Sequence, residues 1–299
     1  MVLSQLERLI ISAQLIQIHE ERLHPQETEL IDHVETLVVN KTTNIEYSIA
    51  LVRARNIQEI YVIIPGSNDK ADWLANFQIR LSRMVYKVAK SIDPIQDYGK
   101  AIDSHDTIED IGMVIPHANK EGCEAWSDQR VHSGFMRAYY QIEEQAIADL
   151  KDVLEAHPTH SVVGTAHSLG SAILRFMMLD AVYKGLFENR KAPALYTYGA
   201  PRMGNQKFCN ALIDYLPHIT RVVNGVDLVT RLPLPVIGYR HETKQHYIGK
   251  RQWLRWYYKQ DITDHFIEAY LSQLQHLRGF IAQDAKTPSI DLERGSALS

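Results

Sequence analysis

The segment VVGTAHSLGSA, residues 162–172, constrains this chain more than any other. The sequence predicts a strand over Ser161–Ala166, a tight turn at His167-Ser168-Leu169 and a helix from about Gly170 to Lys184. A strand that enters a helix through so short a turn belongs to a parallel sheet with helices packed on it. It also sets a serine at the carboxyl end of a strand. Such a turn strains the backbone of Ser168 and leaves space only for small residues two before and two after it; Ala166 and Gly170 hold those positions. A serine hydroxyl presented this way becomes a nucleophile once a base takes its proton. The backbone N–H of Leu169, at the start of the helix, would then face the developing oxyanion. The plainer alternative is a helix N-cap, which serine also favours.

The flanking sequence fits the same architecture. Strands are expected at Glu35–Asn40, Ile45–Arg53 and Glu59–Ile64, then at Ala194–Tyr198 and Thr220–Asn224. Helices are expected from about Lys70 to Lys90 and from Ser133 to Ala156. Strands alternating with helices imply an α/β fold with a mostly parallel central sheet and helices on both faces. No internal repeat or low-complexity linker divides the chain, so residues 1–282 read as one domain, with 283–299 a polar tail. Residues 91–130 are polar and weakly patterned, with Pro94, Pro116 and Gly122, and read either as a lid-like insertion or as a surface excursion without a role.

At this point the residues resemble a known family, the fungal-type (class 3) triacylglycerol lipases of the α/β-hydrolase superfamily. Four segments match in order. Pro65-Gly66-Ser67, leading to Asp72-Trp73, resembles the family's oxyanion loop and lid start. Val131-His132-Ser133-Gly134-Phe135 resembles its V-H-x-G-F segment, Thr165–Gly170 its elbow, and Tyr198–Asn205 its Y/F-G-x-P-R-x-G-N block. The likeness continues through Val223–Asp227, Arg231-Leu232-Pro233 and Asp264-His265. This chain departs from the family in having Pro65 where an Arg is usual, and Ala166 where a Gly is usual.

The resemblance implies a triad of Ser168, Asp227 and His265, with Ser67 as a second oxyanion donor beside Leu169. The order Ser, Asp, His is that of an α/β-hydrolase sheet. Asp227 follows a strand and would hold the imidazole tautomer, and His265, opening the last helix, would relay the proton. Rival bases are His241 and His246, while His132 and His167 read as structural; Asp214 and Asp261 are rival acids. Trp73, Leu74 and Phe77 make an apolar stripe that is either the family's mobile lid, facing substrate, or packed core. The implied activity is carboxylester hydrolysis of lipids at a membrane or droplet surface. A phospholipase A-type effector exported without a signal, or an inactive hydrolase fold used for binding, are the alternatives.

Composition narrows the partners. A net charge of -4 gives no electrostatic case for nucleic acid. No cofactor is expected: there is no phosphate-binding glycine loop, and His241-Glu242-x-x-x-His246 is one residue too long for a zinc-binding H-E-x-x-H helix. Cys123 and Cys209 read as free, buried thiols, or as a pair if the chain is exported. The aromatic and basic run Gln252–Lys259 reads as an edge strand or a membrane-facing surface. The N-terminal residues read as an amphipathic helix rather than a secretory signal, which leads to a cytoplasmic protein, with signal-independent export as the alternative.

Overall fold

Strand residues divide by parity between two apolar layers, and this places the site. The computed structural model describes residues 3–41, 45–66, 129–249 and 262–284. On β3 (Ile57–Ile64), Ile60, Val62 and Ile64 enter one layer while Tyr61 and Ile63 enter the other. On β4 (Ser161–His167), Val162 and Ala166 oppose Val163 in the same way. Strands buried on both faces read as continuous apolar runs, as these do.

Seven strands form one sheet in the order β1-β2-β3-β4-β5-β6-β7. β1 (His33–Asn40), β2 (Tyr47–Ala54) and β3 pair antiparallel, whereas β3, β4, β5 (Ala194–Tyr198), β6 (Ile219–Asn224) and β7 (Gln245–Ile248) run parallel. β7, four residues long, is too short to stand out from sequence pattern alone.

One face carries α2 (Ser133–Tyr140), α3 (Glu143–Ala156), α4 (Leu169–Tyr183) and α5 (Gln206–Tyr215). The other carries α1 (Gln5–His19) and α6 (Ile267–Asp284). The single helix expected over Ser133–Ala156 is two, because Ile142 leaves helical geometry at φ -121° and buries its side chain. Each piece then presents its own apolar stripe to α4. α5 had no counterpart in the sequence reading; Asn205 caps it by accepting from the Phe208 N–H at 3.0 Å.

α1 differs from the amphipathic helix expected. Its residues Leu9–Gln17 are all buried, polar ones included, because the helix lies between the sheet and α6. Sheet side chains bond its backbone: the Thr165 hydroxyl donates to the Ser12 carbonyl at 3.0 Å and the Tyr198 hydroxyl to the Leu9 carbonyl at 2.6 Å. Arg8 also pairs with Glu59 of β3 at 2.7 Å. Among the described residues, no helix is long and apolar enough to cross a membrane.

Several expectations fall outside the described residues: Ser67, the helix at Lys70–Lys90 with Trp73, Leu74 and Phe77, nearly all of the 91–130 insertion, Cys123, the run Gln252–Lys259, and Asp261. α6 ends at Asp284, so the first residues assigned to the tail continue a helix.

Candidate active site

The carboxyl ends of β4, β5 and β6 converge on one corner. Ser168 joins β4 to α4 with φ 52° and ψ -128°, a backbone conformation that L-residues rarely adopt and that functional turns retain. Its N–H donates to the Tyr198 carbonyl of β5 at 2.9 Å, and the Ser171 hydroxyl ties the turn back to the Ala166 carbonyl at 3.1 Å. Gly170 is required by close approach: a Cβ there would lie 2.1 Å from the Pro65 carbonyl oxygen and 2.5 Å from that of Ile64. As the first residue of α4, Leu169 has an N–H without an acceptor in its own helix.

The other two predicted triad residues meet this serine. His265 Nε2 lies 2.9 Å from Ser168 Oγ, and His265 Nδ1 lies 2.9 and 3.0 Å from the two Asp227 oxygens. With Nδ1–H donating to the carboxylate, Nε2 carries the lone pair that faces the hydroxyl. All three residues are buried. Asp227 lies in the loop after β6, its backbone N–H donating to the Asn224 carbonyl at 3.0 Å. His265 ends the 3-10 turn Thr263–His265, two residues before α6, rather than opening the helix. The extended backbone of Phe266 separates the two.

Further groups fix this geometry, and sequence reasoning missed their roles. The Tyr270 hydroxyl donates to Asp227 Oδ2 at 2.6 Å, and the Val229 N–H to Oδ1 at 2.9 Å. Burial, and then the adjacent carboxylate, raise the Tyr270 phenol well above its ordinary pKa, so it remains a donor. Asp264 Oδ2 accepts from the Val226 N–H at 2.9 Å, and the Asn224 side chain donates to the Asp264 carbonyl at 3.1 Å. The segment bearing His265 is thereby bonded to the segment bearing Asp227. His167 is packed, as expected, but its Nε2–H also donates to the His265 carbonyl at 2.6 Å. Gly199, at φ +62°, lets the relay pass: a Cβ there would stand 2.9 Å from the His265 ring and 3.0 Å from Asp227 Oδ2. Only Asp264 carried a sequence signal, through its place beside His265.

The rivals are otherwise engaged. His132 caps α2, accepting from the Phe135 N–H at 3.3 Å. His241 bonds the Thr230 carbonyl at 2.7 Å; burial, aided by Arg221, lowers its pKa to about 2 and keeps it neutral. His246 and Asp214 are exposed, away from Ser168 on β7 and α5. Among the described residues, no group of three or more His, Cys, Asp or Glu side chains could hold a metal ion.

Residues 61–237, running from β3 through the elbow and past Asp227, match the family described as lipase (class 3). This chain belongs to the class 3 lipases. A secreted mono- and diacylglycerol lipase of Fusarium solani is 35% identical over 126 residues, which cover 42% of this chain and 36% of that protein. A lipase of Rhizomucor miehei is 30% identical over 122 residues, covering 41% of this chain and 34% of that one. This class 3 lipase therefore matches about a third of the length of these relatives. The structure of Rhizomucor miehei triacylglyceride lipase superposes with a TM-score of 0.57 at 21% identity, covering 83% of this chain and 82% of that one. At that identity the likeness is one of fold, and it is the α/β-hydrolase fold expected.

The Fusarium solani relative is named a secreted lipase, which overturns the expectation of a cytoplasmic protein. That expectation rested on the pattern of the N-terminal residues. Those residues form α1, whose pattern is set by burial between the sheet and α6 and carries no information about compartment.

Proposed function

We propose that this chain is a serine carboxylester hydrolase acting on lipid esters outside the cell. The observation that carries the proposal is the continuous run of hydrogen bonds from Ser168 Oγ through His265 to Asp227. Its chemistry follows from the bond directions. His265 Nε2 takes the Ser168 proton as Oγ attacks the ester carbonyl carbon. The imidazolium that forms is stabilised by Asp227, itself held by Tyr270 and Val229. The oxyanion of the tetrahedral intermediate is met by the Leu169 N–H at the positive end of α4. His265 then returns the proton to the leaving alcohol, giving an acyl-enzyme. Water repeats the cycle and releases the fatty acid.

Ser67 is proposed as the second oxyanion donor. The Pro65 carbonyl lies against Gly170, so the chain reaches the start of α4 two residues before Ser67. Trp73, Leu74 and Phe77 are proposed to cover the pocket, within a single domain spanning residues 1–282. The names of the relatives support lipid esters as the substrate class, and that of the Fusarium solani relative supports an extracellular site of action. An assembled relay also favours catalysis over a binding role, since such a relay has no use in a module that only binds.

A fluorophosphonate probe tests the proposal. The wild type labels and turns over a p-nitrophenyl ester, while folded Ser168→Ala does neither, with turnover reduced by roughly 10⁶-fold. A folded wild type that fails to label would overturn the catalytic reading.

A further inference from the structure

We propose that the chain binds a small monovalent anion of the halide class inside the sheet face covered by α2–α5, between Arg175 and Arg221. Arg221 on β6 is paired in register with Thr197 on β5, so both side chains enter the same layer. Arg175 reaches them from α4, donating to the Thr197 hydroxyl at 3.2 Å, to the Ser171 carbonyl at 3.3 Å and to Glu242 Oε1 at 2.5 Å. Arg221 donates once, from Nη2 to the Thr243 carbonyl at 3.3 Å. Arg175 is 0% exposed and Arg221 3%.

The charges in this cluster do not balance. Arginine side chains are cationic near neutral pH; burial lowers the Arg221 pKa, to about 10, which leaves it charged there. Among the described residues, Glu242 is the one carboxylate that faces them, and it is engaged with Arg175. Of the other groups around Arg221, Arg202 adds positive charge, and the Tyr270 phenol is neutral. The Cys209 thiol, pushed up to about 12 by burial, and His241 also stay neutral. A buried cation without a counter-charge is strongly unfavourable.

The hydrogen bonds are equally incomplete. Arg221 Nε and Nη1, Arg175 Nε and Thr243 Oγ1 are all buried and make none among the described residues. Unused N–H groups of both buried cations therefore lie in the layer around Thr197, where one negative charge is missing. A halide supplies that charge and accepts from several N–H groups without a directional demand of its own. Water would satisfy the donors and leave the charge uncompensated.

The test compares chloride-free protein in gluconate, an anion too large to enter, with the same protein titrated with chloride at constant ionic strength. Chloride should raise Tm saturably by about 2–5 °C, as expected for a domain of this size at 10–100 times Kd. Arg221→Gln should abolish the increment. Glu242→Gln, which removes the competing carboxylate, should enlarge it. A crystal soaked in bromide should show an anomalous peak in contact with the Arg221 guanidinium. Equal Tm values in gluconate and chloride, or a bromide-soaked crystal without a peak there, would overturn the proposal and assign the open donors to water.

Discussion

Two buried polar clusters lie in this sheet, and they are built on opposite principles. At the carboxyl ends of the strands, the Asp227 oxygens, His265 Nδ1 and Nε2, and Ser168 Oγ form one unbroken run of donors and acceptors. On the α2–α5 face, Glu242 pairs with Arg175, Arg221 meets a carbonyl, and both cations leave donors unused among the described residues. Burial of charged groups therefore does not by itself mark a catalytic centre. The proposed catalytic cluster is distinguished by a directed chain of bonds that ends on an oxygen held in strained geometry.

The contrast can be broken most sharply at Asp227. Asp227→Asn preserves shape but disfavours the imidazole tautomer that faces Ser168, so kcat should fall by roughly 10⁴-fold while Tm barely moves. A fall below tenfold would remove the acid from the relay. The second cluster should respond in the other currency, stability. Glu242→Gln removes the carboxylate paired with Arg175 and, in halide-free buffer, should cost about 3–5 kcal/mol in chemical denaturation. The paired change Arg175→Met with Glu242→Leu removes the ion pair as a unit and should cost far less. If the single and paired changes prove equally damaging, the cluster is not electrostatically strained.

A pH titration sharpens the comparison further. His241, at about 2 in the folded protein, ionises near 6.5 when unfolded, so the unfolded chain binds the extra proton. Its contribution is full above pH 6.5 and declines as pH falls from there towards 2, with a slope approaching about 1.4 kcal/mol per pH unit. His241→Gln should flatten that part of the stability profile, and an unchanged slope would place the proton elsewhere. The smallest effect is expected at Tyr270. Tyr270→Phe removes one donor from the carboxylate and should lower kcat roughly tenfold, through a loss of about 1.4 kcal/mol, with KM unchanged.

The sequence made the local parts of this molecule legible and left the long-range parts hidden. Residues 161–172 carry their own geometry, because strand, turn and helix are contiguous and the small residues at 166 and 170 mark the tight turn. Asp227 and His265 could be placed because their motifs stand in a fixed order around that elbow. Tyr270 could not: a tyrosine on α6 reads as ordinary core, and its hydrogen bond spans 43 residues. The burial of α1 was hidden because Ser12, Gln14 and Gln17 interrupt its apolar periodicity, yet all three are enclosed. The charge imbalance around Arg221 was hidden as well, since its neighbours come from α4, β5 and the approach to β7.

The bond from the Val226 amide to Asp264 has a mechanical consequence. The two stretches of chain that carry the proposed acid and base are stitched together one residue away from Asp227 and His265. A displacement of either carries the other with it, so the spacing within the proton wire survives small shifts of its surroundings. Heat or pressure should then silence the protein abruptly, when the stitch parts, rather than by gradual detuning.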